Sequence, residues 1–163
     1  MAKDASAPTR GVKELLDANI PHRLLPYDYA KADDGVAMEA ARQTGVAPQT
    51  LFKTLAVKLK PEGWAMVLAP ADKTLALKRV AKALAVKTAD MMPAKEAERL
   101  SGYTVGGISP FGITARPMVL IDDSALILET MVINAGKRGL LVELAVADVD
   151  TVLNPKWEPV TTP

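Results

Sequence analysis

Cysteine is absent from the 163-residue chain, which excludes disulfides, thiolate metal sites and a cysteine nucleophile. Histidine occurs once, at His22, so the chain cannot assemble a multi-histidine metal cluster. Aromatic residues are only 4% of the total, and 20 Lys plus Arg nearly balance 19 Asp plus Glu. The resulting net charge of +1 argues against a general polyanion binder. No stretch approaches the roughly 20 apolar residues that cross a bilayer. Met1–Ser6 carries charges with no apolar run behind them, so no leader is expected. A soluble, cytoplasmic protein without cofactor or metal is the expectation.

What is there is an ordinary globular composition, 49% apolar and 24% charged. At this length folding hides roughly 70% of the unfolded surface, so one domain over residues 1–163, with its core at about 10–154, needs no staple. The charges are unevenly placed. Lys73 to Lys87 holds five bases and no acid, whereas Asp122 to Asp150 holds six acids against Lys137 and Arg138.

Val12, Leu15, Leu16 and Ile20 recur at helical spacing behind a Thr9 cap, with Pro21 beyond. His22 to Tyr29, interrupted by Pro26, suits an edge strand. Asp33 or Asp34 can cap a helix through Thr44, and Gly45 is its stop. Leu51–Leu59 and Trp64–Ala69 flank Lys60-Pro61-Glu62-Gly63 and predict a hairpin. A helix is expected over Thr74–Ala85, a short strand over Ala85–Ala89, and a helix from Pro93 to about Leu100. Strands are read at Pro117–Ile121, Thr130–Asn134 and Leu140–Leu144, a helix at Asp148–Leu153, and an irregular tail containing Pro155, Pro159 and Pro163. This order predicts a mixed α/β domain rather than a regular parallel fold.

Several places break local rules. In Leu51 to Leu59, Lys53 is the only charge on the face it shares with Leu51, Leu55, Val57 and Leu59. Such a lysine either snorkels to solvent or marks a cleft. Gly102 to Gly112 holds four glycines and Pro110. That backbone either turns tightly or presents clustered N–H groups to an oxygen. Asn134-Ala135-Gly136-Lys137-Arg138-Gly139 reads as a basic hairpin tip; Arg138 stands where a Walker loop needs Ser or Thr. Asp122-Asp123 reads as a helix cap or as paired carboxylates, and His22 as structural or as a proton-transfer group. Ser109 lacks the Gly-x-Ser-x-Gly elbow, because Phe111 occupies the last glycine position.

In order and spacing, Phe52-Lys53-Thr54-Leu55, Gly106-Gly107-Ile108-Ser109-Pro110 and Gly136-Lys137-Arg138-Gly139 resemble the free-standing aminoacyl-tRNA editing proteins related to the prolyl-tRNA synthetase editing insertion. The nearest subgroup is the Cys-tRNA(Pro) deacylases of the YbaK/EbsC type. The resemblance spans about Val12 to Leu153 and includes the Leu77–Leu84 run. It implies a strongly curved mixed central sheet with surrounding helices, and hydrolysis of the ester joining a wrong amino acid to the tRNA 3′ adenosine. It also carries over Lys53 and Gly106 as site residues and sets Tyr27 at the pocket; the Gly106 and Gly107 N–H groups are expected to hold the oxyanion of catalysis, with Thr54, Ile108, Ser109, Asn134 and Gly136 around the substrate. Tyr29 competes with Tyr27 for the aromatic position. Lys78, Arg79, Lys82, Lys137 and Arg138 are the candidates for tRNA phosphates, and prolyl-tRNA synthetase is a candidate partner. The chain departs from the subgroup at Asn134, where Ser is frequent, and at Leu141, where an acid is common. Other mischarged esters, Ala-tRNA(Pro) or a Ser/Thr ester, and a non-catalytic tRNA- or synthetase-binding module are the competing readings.

Overall fold

Thr9 starts the first helix as expected: its hydroxyl accepts the Val12 N–H at 3.0 Å, and α1 (Arg10–Asp17) buries Val12 and Leu15. Each such side chain is worth about 1.5–3 kcal/mol when withdrawn from water. The computed structural model describes residues 7–163; the expectation for Met1–Ser6 lies outside the described residues. β1 (His22–Pro26) is an edge strand, ending at the proline that cannot extend its ladder.

α2 (Val36–Thr44) ends on Gly45, whose φ of 75° is the left-handed stop that glycine favours. Its N-cap is Gly35 rather than Asp33 or Asp34. Asp34 instead takes a two-pronged pair with Arg42, at 2.8 and 2.9 Å, and the guanidinium lowers its carboxyl pKa. The hairpin forms as expected from β2 (Leu51–Lys60) and β3 (Trp64–Pro70), paired from Phe52↔Pro70 to Lys58↔Trp64.

α3 (Leu77–Leu84) starts later than the sequence indicates. Thr74 and Ala76 are engaged by the C-terminal segment, through Thr162 N–H to Thr74 O and Ala76 N–H to Val160 O. β4 falls at Thr88–Met91, not Ala85–Ala89, because Ala85 adopts φ 56° and closes α3. α4 (Ala94–Ser101) follows Pro93, and β5 spans Met118–Asp122. Asp122 caps the next turn through Ser124 N–H at 3.2 Å, and its other oxygen accepts Val160 N–H at 2.9 Å. β6 (Thr130–Lys137) runs beyond Asn134 through a bulge before β7 (Leu140–Ala145) returns antiparallel. The last helix is α5 (Val146–Leu153).

The tail is not irregular. β8 (Lys156–Glu158) pairs parallel with β5, Leu75 bridges Thr161, and Val160 is wholly buried against Val57, Val67 and Leu120. The core therefore extends past residue 154. Prolines 155 and 159 flank a short edge strand, where a missing N–H costs no ladder bond.

The eight described strands form one mixed sheet in the order β1-β7-β6-β2-β3-β5-β8, with β4 added to β2. β3 occupies one edge of β2 throughout, so β6 and β4 must share the other. The β6 ladder ends at Phe52↔Ile133, and the β4 ladder begins at Val57↔Met91. Between them the edge of Lys53–Ala56 away from β3 meets no strand; among the described residues Met92 is the one whose backbone N–H reaches across, to Ala56 O at 3.1 Å. This split in the sheet is where the site forms. Among the described residues no helix is long and apolar enough to cross a membrane.

Candidate active site

A cavity of about 400 Å³ fills the split. Its floor is Leu51–Ala56 of β2, and its walls come from Val36, Ala37 and Ala40 of α2, Ala94 and Ala97 of α4, and Asn134 and Leu141 from the β6–β7 pair. Val105, Gly106 and Ile108 close one side, Tyr27 another, and Met91 and Met92 stand where β4 leaves the sheet. Val105 and Met91 remain 38% and 48% exposed, which makes an apolar lip at the mouth. The mostly apolar lining with a few polar groups is the usual composition of a small-ligand site.

Lys53 lines this cavity, half-buried, and its Nζ donates to the Lys73 carbonyl at 2.7 Å. Burial holds its ammonium below the ordinary lysine range, opposed in part by Asp72. Beside it the Thr54 Oγ1 is buried with no hydrogen-bond partner. A buried hydroxyl in that condition costs about 1–3 kcal/mol, and one on a cavity wall is placed to meet a ligand. Burial pushes the Tyr27 phenol above its ordinary pKa, so it remains a donor at neutral pH.

The glycine loop is pinned atom by atom. Val105 N–H donates to Glu98 Oε2 at 2.8 Å, and Val105 O accepts from Arg138 Nε at 3.0 Å. Gly106 O accepts from Asn134 Nδ2 at 3.2 Å, and Gly107 N–H donates to Thr104 O at 2.7 Å. In residues 105–107 this leaves only the Gly106 N–H without an acceptor among the described residues. Gly106 has φ +93° and lies under the Tyr29 ring, where a Cβ would collide. The positive φ is what calls for glycine there, and the Tyr29 phenol would have to move for any side chain.

Three sequence-predicted groups fall elsewhere. Gly107 cannot offer an oxyanion donor, because its N–H closes the turn onto Thr104 and its Cα abuts the Lys137–Arg138 backbone. Ser109 is wholly buried away from the cavity, and its Oγ accepts the Phe111 N–H at 3.2 Å. Gly136, in the β6 bulge, packs against Thr9 and Tyr103 and does not line the cavity; its N–H closes onto Asn134 Oδ1 at 2.7 Å. His22 also stands off the cavity, on β1, with Nδ1 at 2.8 Å from Ile20 O.

Lys78, Arg79 and Lys82 are exposed on α3 and do not line the cavity, and Lys137 is exposed at the end of β6. Arg138 is committed differently. Its guanidinium stacks on Tyr29 at 4.7 Å from the ring centroid while it holds Val105. Glu98, Val105 and Met91 were not singled out by sequence. Glu98 sits one turn before the glycine loop and is the only one of the three with a readable signal, a carboxylate near a run of free N–H groups. No group of three His, Cys, Asp or Glu residues that could hold a metal occurs among the described residues.

The model of the aminoacyl-tRNA editing domain matches residues 35–152, which contain β2, the glycine loop and the β6–β7 tip. The chain belongs to the aminoacyl-tRNA editing domain family. This editing-family chain is 27% identical over 161 residues to an Enterococcus faecalis protein, EbsC, provisionally named a Cys-tRNA(Pro)/Cys-tRNA(Cys) deacylase, covering 98% of this chain and 97% of that one. It is 26% identical over 106 residues to YwhH of Bacillus subtilis, which has no assigned activity, covering 65% and 67% of the two. Among solved structures, one provisionally described as a trans-editing enzyme for prolyl-tRNA synthetase superposes with TM-score 0.77 at 16% identity, covering 98% and 94% of the chains. The hypothetical protein APE2540 superposes with TM-score 0.80 at 22% identity, covering 91% and 96%. These superpositions establish the editing-domain fold, the mixed α/β sheet expected from the sequence.

Proposed function

We propose that this editing-family protein is a trans-acting deacylase for Cys-tRNA(Pro), with the cysteinyl group in the cavity of the split sheet. The observation that carries the proposal is that Gly106, whose N–H is unengaged, and the half-buried Lys53 line one cavity. Ester hydrolysis passes through a tetrahedral oxyanion, and one well-placed donor is worth about 2.7–4 kcal/mol to that state. Gly106 N–H is the donor assigned to the developing oxyanion. Lys53 exchanges its Lys73 carbonyl for the terminal nucleotide, or neutralises charge beside it. Thr54, Tyr27, Ile108 and Asn134 shape the pocket.

The nucleophile comes from the substrate. Ser109 and His22 stand off the cavity wall, and resemblance to the Cys-tRNA deacylases favours the cysteinyl thiol. Its sulfur forms a bond to its own carbonyl carbon, the ribose oxygen leaves with the thiol proton, and water opens the resulting thiolactone to free cysteine. Release is then lyase-like, with hydrolysis following. The scheme also answers selectivity. One methylene separates substrates by only about 1–3 kcal/mol in an apolar pocket, whereas alanine and proline carry no thiol at all.

The tRNA body is assigned to phosphate contacts from Lys78, Arg79, Lys82 and Lys137, with identity supplied by a partner such as prolyl-tRNA synthetase. Single-turnover deacylation of Cys-tRNA(Pro), run beside Ala-tRNA(Pro) and Ser-tRNA, tests the reading. Loss of cysteine alone is the expected result. Equal hydrolysis of the alanyl ester rules out thiol assistance, and no hydrolysis of any ester leaves a binding module.

A further inference from the structure

We infer that Arg138 is a positioning residue for the Gly106 loop rather than a tRNA phosphate ligand. The inference rests on the deacylase reading only in naming the Gly106 N–H as the donor that must be held. Four observations converge on it. Arg138 Nε donates to Val105 O at 3.0 Å, the carbonyl of the same planar peptide that carries the Gly106 N–H. The same guanidinium lies over the Tyr29 ring at 4.7 Å, and the phenol end of Tyr29 in turn covers Gly106, so that a Cβ there would have to push the ring aside. Gly107 abuts the backbone of Lys137 and Arg138, where an added Cβ would come within 2.7 Å of the Arg138 nitrogen. The hairpin tip that carries Arg138 is itself held from the other side, by Tyr27 N–H to Gly139 O at 2.9 Å.

The tip of β6–β7 is thus a clasp between the two tyrosines after β1 and the loop that closes the cavity. Arginine has both a planar face to stack and an angled N–H to reach a carbonyl; the lysine ammonium offers a point charge without either. Both backbone groups of Val105 are held, its N–H by Glu98 and its C=O by Arg138. With Val105 held, the next N–H, that of Gly106, has a set direction. Misplacing a reacting group by about 1 Å can cost on the order of 10²-fold in rate, which is the lever the clasp controls.

The test uses the full chain and the variants Arg138→Lys, Tyr29→Ala and Tyr29→Phe. Two readouts are taken: single-turnover deacylation of Cys-tRNA(Pro) across enzyme concentration and salt, and amide hydrogen exchange at Val105 and Gly107. Arg138→Lys keeps the charge, so a phosphate ligand would be largely preserved. The clasp instead requires a maximal rate lower by about tenfold or more with half-saturation within about threefold of wild type. It also requires an unchanged salt slope and faster exchange at both amides. Tyr29→Ala should reproduce the loss, Tyr29→Phe, which keeps the ring, should lose less rate than Tyr29→Ala, and the pair Tyr29→Ala with Arg138→Lys should be non-additive. Wild-type rate and exchange in Arg138→Lys would overturn the inference. So would a defect confined to half-saturation with a shallower salt slope, or strict additivity with Tyr29→Ala. If the wild type cleaves no ester, the deacylase reading falls by itself. Exchange then decides the clasp: faster exchange in Arg138→Lys upholds it, unchanged exchange refutes it.

Discussion

Asn134 spans the gap between β6 and the glycine loop: its Nδ2 donates to the Gly106 carbonyl at 3.2 Å while its Oδ1 accepts the Gly136 N–H at 2.7 Å. One amide side chain thereby joins the strand bulge to the loop that closes the cavity. Asn134→Asp keeps the acceptor for Gly136 and replaces the donor with a carboxylate facing a carbonyl oxygen. The expected outcome is a fold destabilised by about 1–3 kcal/mol, with a deacylation loss larger than that of Asn134→Ser. Thermal melts and single-turnover rates on the two variants check it.

Lys53→Ala should leave the protein folded, because the side chain is only half-buried and its one bond goes to a backbone carbonyl. Deacylation should fall by about 10²-fold or more if the cation acts in the transition state. A folded variant with the wild-type rate would remove Lys53 from the mechanism.

The lowered Lys53 pKa has opposite consequences for activity and stability. Activity that needs the ammonium is present at neutral pH and declines as pH rises through the depressed value, before an ordinary lysine would titrate. The unfolded chain binds that proton more tightly, so the contribution to stability increases with pH between the depressed and the ordinary lysine values. A pH–rate profile should show an alkaline limb that Lys53→Arg, if active, lacks. Denaturant melts over the same range should show the wild type gaining on that variant.

Thr54→Val removes the buried hydroxyl that has no partner in the free protein. Stability should be unchanged or raised by up to about 1 kcal/mol, since an unsatisfied polar group disappears, while half-saturation by substrate worsens. Improved melting with unaltered substrate binding would exclude contact between this hydroxyl and the ligand.

Gly106→Ala places a Cβ at φ +93° and beneath Tyr29. The backbone conformation alone costs roughly 1–2 kcal/mol, and the Cβ displaces the Tyr29 phenol that covers the loop. Activity should fall much further than melting temperature, whereas a variant that melts early and keeps its rate would dissociate the loop from catalysis.

Much of this organisation is legible along the chain. The Thr9 cap, the β2–β3 hairpin, the Gly45 stop and the Asp122 cap all follow from preferences acting over a few residues, and the three spaced motifs carry the family. The Lys53 anomaly is also local, since strand alternation alone exposes a charge among apolar neighbours. What the tertiary structure alone decided are choices between partners far apart in sequence. Gly107 and Gly106 look equivalent as letters, but Thr104 takes the first N–H, and Asn134 and Arg138, 28 and 33 residues away from their acceptors, orient the second. Ser109 reads as a pocket group until the fold buries it away from the cavity, and the proline-rich tail reads as irregular until β5 supplies an edge for β8. Which edge a strand joins, and which backbone N–H is left over, depend on register and packing across the whole sheet. Local propensity contains no term for either.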